Sequence, residues 1–327
     1  MTTGAAPPGA RGRGSFVGKL LVSGLLLGFL FWRVDRVAFL RSLQALPLSL
    51  FLGCLLLYTL GYVLSTIRWQ RLLLAEGIRV SLGRLTLIYL EGAFFNLFLP
   101  TLIGGDIVRG YAIYKLTRGH DASIASILVD RLSGFAALIL IALIAVVVGY
   151  GQIQDPQVAA MVFLVAAAFV FLLLILLNDR LKGRVTGLLG LVGLGRFQAK
   201  LQDWVEALHR YRQHRRALVV ALLLSGLLQT LIIVTYYFVG VGLNLGVPLT
   251  YFFVFVPLVT VVAMLPVSVA GLGVREGAVI FFFAKAGVDA ATALSLSLVW
   301  FSLTLIVSSL GGLALLLDTH AAKRLED

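Results

Sequence analysis

A glycine-rich, charged segment interrupts a strongly apolar part of the chain at residues 99–110, which read LPTLIGGDIVRG. Pro100 and the Gly104-Gly105 pair disfavour a continuous helix, and lipid cannot hydrate the backbone groups that such a break releases. A charged pair within an apolar run is energetically costly and by default marks a functional site. We therefore predict a helix break that carries Arg109 and that is buried in protein or lines a wet cavity.

A second segment of the same design follows 166 positions later, at residues 265–276, which read LPVSVAGLGVRE. Aligned without a gap, the two segments share a leucine, a proline, a glycine, a valine and an arginine, so that Arg275 falls on Arg109. A match of this length carries weight only if the topology around the two segments is repeated as well.

The composition excludes a soluble domain. With 60% hydrophobic and 13% charged residues and a mean hydropathy of +1.01, the chain is expected in a bilayer. Cys54 is the single cysteine, which excludes a disulfide framework, and the four histidines show no metal-ligand spacing, so we expect no metal and no cofactor. The net charge of +12 lies mostly in short loops, which favours anionic lipids over nucleic acid as partners.

Six apolar runs are long enough to cross a bilayer as helices, at residues 16–32, 47–67, 122–150, 156–177, 217–240 and 290–317. They lie between a disordered basic tail at 1–15 and a short tail at 318–327. The first run has the outline of a signal peptide, but the FWRV sequence at its end offers no small-residue cleavage site, so we predict a retained span. Residues at the ends of the runs, among them Arg68 and Trp69, are predicted to be interface anchors.

The two broken segments are predicted to lie in hairpins rather than in full spans. Around the first break, the second arm of residues 83–118 would cover only about half of a ~30 Å hydrocarbon core at ~1.5 Å per residue. We predict that residues 83–118 and 249–287 each form a re-entrant helical hairpin, which enters and leaves the membrane on one side. The pattern of residues 178–216 indicates a basic, cytoplasmic amphipathic segment on the membrane surface, rather than a partner-binding helix.

The distribution of basic residues sets the orientation. With a cytoplasmic N-terminus, 20 of the 27 lysines and arginines fall in inside segments and four outside, as the positive-inside rule requires. Residues 16–150 and 156–317 then have the same order of span, span, hairpin and span in opposite orientations, an inverted repeat typical of transporters. The sequence therefore predicts an all-α polytopic inner-membrane protein with six full spans, two re-entrant hairpins and both termini cytoplasmic.

The residues that follow each break are predicted to bind an anion. A new helix begins there, so its unpaired N–H groups and the positive end of its dipole point into the break. Two such helix ends, each with one arginine, would suit a phosphate, for which a lipid headgroup is the obvious source. The predicted substrate-binding residues are Arg109, Arg275, Asp106, Glu276, Asn96, Gly104, Gly105, Gly271 and Gly273.

The same charges could instead neutralise one another as buried ion pairs. The intramembrane set comprises three arginines and four acids, in which Glu91, Asp130 and Arg131 form a supporting network around Asp106, Arg109, Arg275 and Glu276. Asp106 and Arg109 have a suitable i,i+3 spacing. Residues adjacent in sequence, such as Arg275 and Glu276, cannot face each other along a helix, so some pairs are expected between helices. A proton-coupling role for Glu91 or Glu276 also stays open.

Several motifs, in order along the chain, resemble those of a known family of membrane proteins. They are RWxxLL at 68–73, GxFFNxxxP at 92–100, GGDxxR at 104–109, DRxxG at 130–134 and PxSxxGxGxRE at 266–276. On these motifs the chain is similar, over about residues 16–317, to the flippase-like transmembrane family that includes the membrane domain of lysylphosphatidylglycerol synthase. The resemblance implies a protein that moves lipids or lipid-linked headgroups between leaflets. Without the soluble aminoacyl-transferase domain, we do not expect lysine transfer.

Three functions are compatible with these residues. The first is a lipid flippase or transporter that is not an enzyme, in which Arg109 and Arg275 guide an anionic headgroup. Because the sequence has no Walker lysine loop, we expect the lipid to move downhill or in a process coupled to protons or to the membrane potential. The second is an ion-coupled carrier of a soluble anion. The third is an intramembrane enzyme acting on lipid phosphates, with a divalent metal held by acids. We favour the first, with a phospholipid or lipid-linked substrate as partner and with a homo-oligomer left open.

Overall fold

The computed structural model describes residues 35–98, 104–117, 122–149, 151–152, 155–178, 210–265 and 267–323, together with positions 21, 23–30, 32 and 205. Within these residues all secondary structure is helical, which confirms the predicted all-α class. The α-helices are α1 (Arg36–Ala45), α2 (Leu48–Ala75), α3 (Leu82–Phe98), α4 (Gly104–Leu116), α5 (Ala122–Val148), α6 (Pro156–Leu177), α7 (Arg215–Gly242), α8 (Leu249–Ala263), α9 (Val274–Ala284) and α10 (Ala290–Lys323).

Five of these helices, namely α2, α5, α6, α7 and α10, are long and apolar enough to cross a membrane. They match five of the six predicted spans, so the chain is a multi-pass membrane protein. The predicted span at 16–32 lies partly outside the described residues, although positions 21, 23–30 and 32 are helical. The predicted tail at 1–15 lies outside them entirely, and the predicted amphipathic segment at 178–216 is described only at its ends and at position 205.

Two features in the first part of the chain differ from the predictions. Helix α2 continues to Ala75, well past the predicted end of its span, so Arg68 and Trp69 lie inside the helix and are buried. The prediction that these two residues are interface anchors is therefore wrong. Helix α1 occupies Arg36–Ala45, where no helix was predicted, and Asp35 caps it by accepting two backbone N–H hydrogen bonds from its first turn.

Two pairs of shorter helices flank the related segments. Helices α3 and α4 have 17 and 13 residues, and α8 and α9 have 15 and 11. Each is shorter than the ~20 residues that an upright helix needs to cross a bilayer. Within each pair the two helices pack against each other, and α3 also packs against α10. The chain between α3 and α4, at 99–103, lies outside the described residues.

Glycines let the backbones of α3 and α4 approach closely. A Cβ added to Gly92 would lie 2.8 Å from the carbonyl oxygen of Gly105, and a Cβ on Gly105 would overlap the carbonyl oxygen of Gly92. Helix α10 approaches α3 in the same way, because a Cβ on Gly311 would overlap the carbonyl oxygen of Leu90. Side chains larger than hydrogen at these positions would force the three helices apart.

The turn between α8 and α9 requires glycine for a different reason. Gly271 and Gly273 have φ angles of +73° and +83°, in a region that side chains disfavour. A 3-10 turn (Val269–Gly271) precedes α9, and Gly273 is the N-cap residue of that helix. The buried Ser23 hydroxyl, from the helical residues 23–30, accepts a hydrogen bond of 2.9 Å from the backbone N–H of Val269 and so fixes the turn from outside.

The largest hydrophobic core surrounds the second pair of short helices. It joins α8 and α9 to the neighbouring spans, with Phe252, Phe255 and Phe283 among its fully buried side chains. At the end of α9, Lys285 Nζ lies 2.6 Å from the carboxylate of Asp155, the residue that caps α6. These contacts hold α8 and α9 as one packed unit.

Candidate functional site

A cavity of about 370 Å³ lies between the helices and has residues of both related segments in its wall. The charged residues in its described lining are Arg68, Asp106, Arg109, Asp130, Arg131 and Arg275. They come from α2, α4, α5 and α9, so helices that are distant in sequence converge here. The four arginines in this lining outnumber its two aspartates, and the neighbouring Glu276 pairs with Arg275.

Three arginines share two aspartates in one part of the wall, which we call the first cluster (Arg68, Asp106, Arg109, Asp130 and Arg131). Arg131 Nε lies 2.6 Å from one Asp106 oxygen, and Arg109 Nη1 lies 3.1 Å from the other. Arg68 Nε lies 2.7 Å from Asp130 Oδ1, and Arg109 Nη2 lies 3.5 Å from Asp130 Oδ2. The predicted i,i+3 pair and the predicted pairing between helices are both confirmed.

Arg109 is a buried member of the first cluster with unused hydrogen-bonding capacity. Its side chain is only 3% exposed, and its guanidinium carbon lies 3.9 Å from the ring centre of Tyr89 and 4.4 Å from that of Trp69. Among the residues that the structure describes, its Nε–H has no hydrogen-bond partner, although the atom is buried. A buried donor without a partner is costly, by about 1–3 kcal/mol, so this N–H is a strong candidate for contact with a ligand.

The start of α4 is fixed by a side chain of α3. The Asn96 amide oxygen accepts a hydrogen bond of 2.6 Å from the backbone N–H of Gly105. This bond satisfies one of the N–H groups that the first turn of a helix leaves unpaired. Asn96 also lines the cavity, and Gly104, Gly105 and Asp106 are all buried in the first turn of α4.

At the second break the charges form a closed local group, which we call the second cluster (Gly273, Arg275, Glu276 and Ser297). Arg275 Nε lies 3.1 Å from Glu276 Oε1 and 3.2 Å from the Ser297 hydroxyl, which itself donates to Glu276. The prediction that adjacent Arg275 and Glu276 do not pair is therefore wrong. It fails because the Glu276 side chain folds back towards the start of the helix, as in a capping box. There its carboxylate accepts a hydrogen bond of 2.6 Å from the backbone N–H of Gly273.

Aromatic rings connect the two clusters along the cavity wall. From Tyr89, which stacks on Arg109, the rings of Tyr62 and Tyr58 follow at centre-to-centre distances of 6.0 and 5.5 Å. Trp300 lies 5.0 Å beyond Tyr58. The ring after Trp300 in sequence, that of Phe301, lies 5.0 Å from the Arg275 guanidinium. A row of aromatic rings therefore runs along the wall between the two arginines.

Comparison with known proteins gives the family. A model of the lysylphosphatidylglycerol synthase TM region matches residues 16–312. The chain belongs to this family. It is also similar to a UPF0104 membrane protein of Methanothermobacter thermautotrophicus, with 29% identity over 247 residues, which cover 69% of this chain and 72% of that protein. No solved structure matches the chain.

The motifs that suggested the lysylphosphatidylglycerol synthase TM family converge on the cavity. Arg68 of α2 and Asp130 of α5 come from separate motifs, pair at 2.7 Å and both line the cavity. Glu91 lies beside Gly92 on α3 but outside the cavity lining. Of the cavity residues that sequence reasoning missed, Arg68 is the most important. The sequence did contain a sign that the helix continues past Arg68, since no glycine or proline occurs between Arg68 and Gly77.

Proposed function

We propose that this protein is a transporter that moves a phospholipid or a lipid-linked headgroup between leaflets and catalyses no reaction of its own. The observation that carries this proposal is the arginine-rich cavity in which the buried Arg109 Nε–H has no partner among the described residues. Guanidinium groups bind phosphate oxygens in a planar, forked geometry, and the excess of arginine over aspartate favours an anion. A headgroup phosphate would accept a hydrogen bond from the Arg109 Nε–H. It would compete with the aspartates for the other N–H donors of Arg109.

Exposed side chains beside the charged wall support a lipid as substrate. Asp106 lines the cavity and is 8% exposed, whereas the next residue, Ile107, is 71% exposed on the outer surface. Tyr111, one turn further on, is 69% exposed, and the Arg131 side chain that pairs with Asp106 is 37% exposed. The charged wall thus borders an apolar outer surface, where acyl chains can stay in lipid while the headgroup enters.

The proposal includes a finer architecture. We propose that α3–α4 and α8–α9 are re-entrant hairpins and that residues 16–150 and 156–317 form an inverted repeat. The 166-residue offset of the related segments, the shortness of all four helices and the presence of both arginines in one cavity wall support this arrangement. In transporters of this design the substrate site lies at the repeat interface, near the middle of the membrane.

The excess of basic residues in alternate loops supports an inner-membrane location with both termini cytoplasmic. In the same orientation anionic lipids would gather at the basic cytoplasmic face. The engagement of Asp106, Asp130 and Glu276 by arginines argues against their use as metal ligands in an enzyme. A carrier of a soluble anion would use the same arginines, so the experiment includes an arm for it.

The test is headgroup translocation in proteoliposomes that contain the full-length chain and acyl-labelled phospholipids. We compare the wild type with Arg109→Ala and with Arg41→Ala, which removes an exposed charge on α1 as a matched control. Arg109→Ala should fold, because Asp106 keeps Arg131 and Asp130 keeps Arg68. We expect Arg109→Ala to lower the rate by about tenfold to a hundredfold, since a charge-assisted hydrogen bond contributes about 1.5–3 kcal/mol, and Arg41→Ala to leave it unchanged.

Unchanged translocation in Arg109→Ala would overturn the proposed role of Arg109. If the wild type moves no lipid but takes up inorganic phosphate into the same vesicles, the protein is a carrier of a soluble anion instead. Release of a modified lipid by the wild type alone would favour the enzyme.

A further inference from the structure

A second cavity lies where α3 begins and α4 ends, and its volume is about 500 Å³. Its lining consists of residues 77–81, which form the loop after α2, together with Arg84 of α3 and with Leu116 and Thr117 at the end of α4. We call this cavity the loop pocket. The described lining of the central cavity includes none of these residues, so the loop pocket is a separate feature of the molecule.

The loop that forms one wall of the pocket has a well-fixed backbone. Gly77, with a φ angle of +76°, ends α2 in a Schellman motif, in which the N–H of Ile78 donates to the carbonyl oxygen of Leu73 at 3.0 Å. The Ile78 side chain is buried in the same core cluster as Leu73. Further on, the carbonyl oxygen of Val80 accepts a hydrogen bond of 3.0 Å from the side-chain amide of Gln70. The residue between these two anchors is therefore held in place before any ligand binds.

Two arginines give the loop pocket a positive charge. Arg79 is the residue between the two anchors, Arg84 lies in the first turn of α3, and both are exposed. None of the described lining residues is acidic. In the central cavity, by contrast, two aspartates belong to the lining and pair with its arginines. The lining of the loop pocket therefore favours an anion over a cation, and its guanidinium groups suit a phosphate.

The start of α3 adds backbone donors to the same pocket. Ser81 precedes the helix, and its hydroxyl accepts a hydrogen bond of 3.4 Å from the backbone N–H of Arg84. The first turn of a helix leaves N–H groups without an intrahelical partner and carries the positive end of the helix dipole. Gly83 in this turn is exposed, and the space that a side chain would occupy there is open. An anion held by the two arginines can therefore approach the backbone of α3.

Exposed apolar side chains border the charged lining. Leu116, which belongs to the lining, is 45% exposed, and Leu87, one turn after Arg84 on α3, is 39% exposed. Tyr114 on α4 is also 39% exposed, and the neighbouring Lys115 is exposed as well. Tyrosine and basic residues together are typical of the level at which lipid headgroups meet the acyl chains. A ligand that carries both a phosphate and acyl chains matches this surface better than a free ion does.

From these observations we infer a second lipid site, in which the phosphate of an anionic phospholipid binds between Arg79 and Arg84 while its acyl chains lie along Leu87 and Leu116. A lipid bound there contacts the start of α3 and the end of α4, and so holds the first pair of short helices together from outside. In the orientation proposed above, the pocket faces the cytoplasmic leaflet, where anionic lipids attract basic residues. The assignment of the leaflet rests on that proposal, whereas the pocket itself does not depend on transport.

The test is thermal unfolding of the full-length protein in detergent with dihexanoyl-phosphatidic acid, dihexanoyl-phosphatidylcholine or inorganic phosphate. The loop variant Arg79→Gln/Arg84→Gln removes both charges, and the control Arg36→Gln/Arg41→Gln removes two exposed charges from α1. We expect phosphatidic acid to raise the unfolding midpoint of the wild type and of the control equally. The loop variant should need about tenfold to thirtyfold more of it, because each basic residue near a membrane surface strengthens binding of anionic lipid by about fivefold.

Two further variants show where the lipid binds and whether α3 is disturbed. Arg109→Ala weakens the anion site of the central cavity and leaves the loop pocket intact, so it should keep the response to phosphatidic acid. Arg79→Gln alone leaves α3 unchanged and should weaken the response by about fivefold. If the loop variant does not fold, this single variant carries the test.

A response to phosphatidic acid that survives in the loop variant, or that disappears in Arg109→Ala, would overturn the inference. An equal response to phosphatidylcholine, which has the same chains but no net charge, would also overturn it, as would no response to any probe. A response to inorganic phosphate that the loop variant loses supports the same chemistry with a soluble source. Translocation is measured separately. A protein that moves no lipid but keeps the response of the loop pocket therefore overturns the proposed function and leaves this inference standing.

Discussion

The two related segments carry an arginine at the same aligned position but surround it differently. Arg109 pairs with aspartates from α4 and α5 that it shares with two other arginines. Arg275 pairs with its neighbour Glu276 and with the Ser297 hydroxyl. In the sequence, the acid stands three residues before the arginine in the first segment and one residue after it in the second. The position of one carboxylate therefore decides whether the arginine is held between helices or within one helix.

This difference separates a binding role from a structural one. In the first cluster an arginine can leave its aspartates without exposing them, because each aspartate has another arginine. In the second cluster Glu276 is fully buried and serves both Arg275 and the Gly273 N–H. A ligand can compete for Arg109 at little cost, whereas competing for Arg275 would undo the start of α9.

Glu276→Ala should be the most damaging change. It leaves Arg275 buried without its carboxylate and removes the acceptor of the Gly273 N–H. Loss of one partner of a buried pair costs about 3–5 kcal/mol, so we expect a fall of about 5–10 °C in the unfolding midpoint in detergent. The paired measurement is Arg109→Ala, for which we expect a loss of less than about 2 kcal/mol, mainly from lost stacking on Tyr89 and Trp69.

If Arg109→Ala destabilises the protein as much as Glu276→Ala does, the contrast between a shared and a closed cluster is wrong.

Gly105→Ala should separate the helices of the first pair. Its methyl group would overlap the carbonyl oxygen of Gly92, and overpacking of this kind costs about 1–3 kcal/mol. Gly226→Ala, in the interior of α7 with no atom near its added methyl group, is the matched control and should stabilise the protein by up to ~1 kcal/mol. Thermal unfolding of both variants in detergent measures the difference.

A Gly105→Ala variant that is as stable as Gly226→Ala would mean that α3 and α4 are free to move apart. In that case the first pair is looser than the packing indicates.

Acid should weaken the contact that ties the second pair to α6. The hydrogen bond from Lys285, together with backbone N–H groups at the start of α6, holds the pKa of Asp155 below its ordinary value of 3.8. A carboxylate with a lowered pKa in the folded protein stabilises the fold above about pH 4 and loses this effect as the pH falls through the lowered pKa. The gap in unfolding midpoint between the wild type and Asp155→Asn should therefore narrow from about pH 5 to about pH 3.

A gap that stays constant over this range would show that Asp155 acts only as a neutral helix cap.

Much of the fold could be predicted from hydrophobicity, because a run long enough to cross a membrane is a strong signal. The break at the second segment was equally visible, since glycine acts locally. The first break, at 99–103, lies outside the described residues, and the prediction that Gly104 and Gly105 break the helix is wrong, because both lie in the first turn of α4. The bounds of α2 were harder, because Arg68 looks like the end of a span when its partner is unknown. That partner, Asp130, is 62 positions away, and only packing brings it within 2.7 Å.

The sequence predicted which charged residues meet at the site better than it predicted how they pair. The spacing of Asp106 and Arg109 was enough to predict their pair, because a helix fixes which residues face each other. The same rule failed for Arg275 and Glu276, because a residue in the first turn can fold back on the capping position. The hydroxyl pairs Tyr58–Thr304 and Tyr62–Ser308 were not predicted, since tyrosine, threonine and serine in apolar helices give no sign of which partners they will meet.

The close contact of α3 with α4 and α10 also has a consequence for movement. Gly92, Gly105 and Gly311 let a carbonyl oxygen of one helix lie where a side chain of its neighbour would begin. Because no side chains interlock at these contacts, the helices can slide along one another more easily than they can separate. Any change of shape at the first cluster is therefore expected as a small sliding of packed helices.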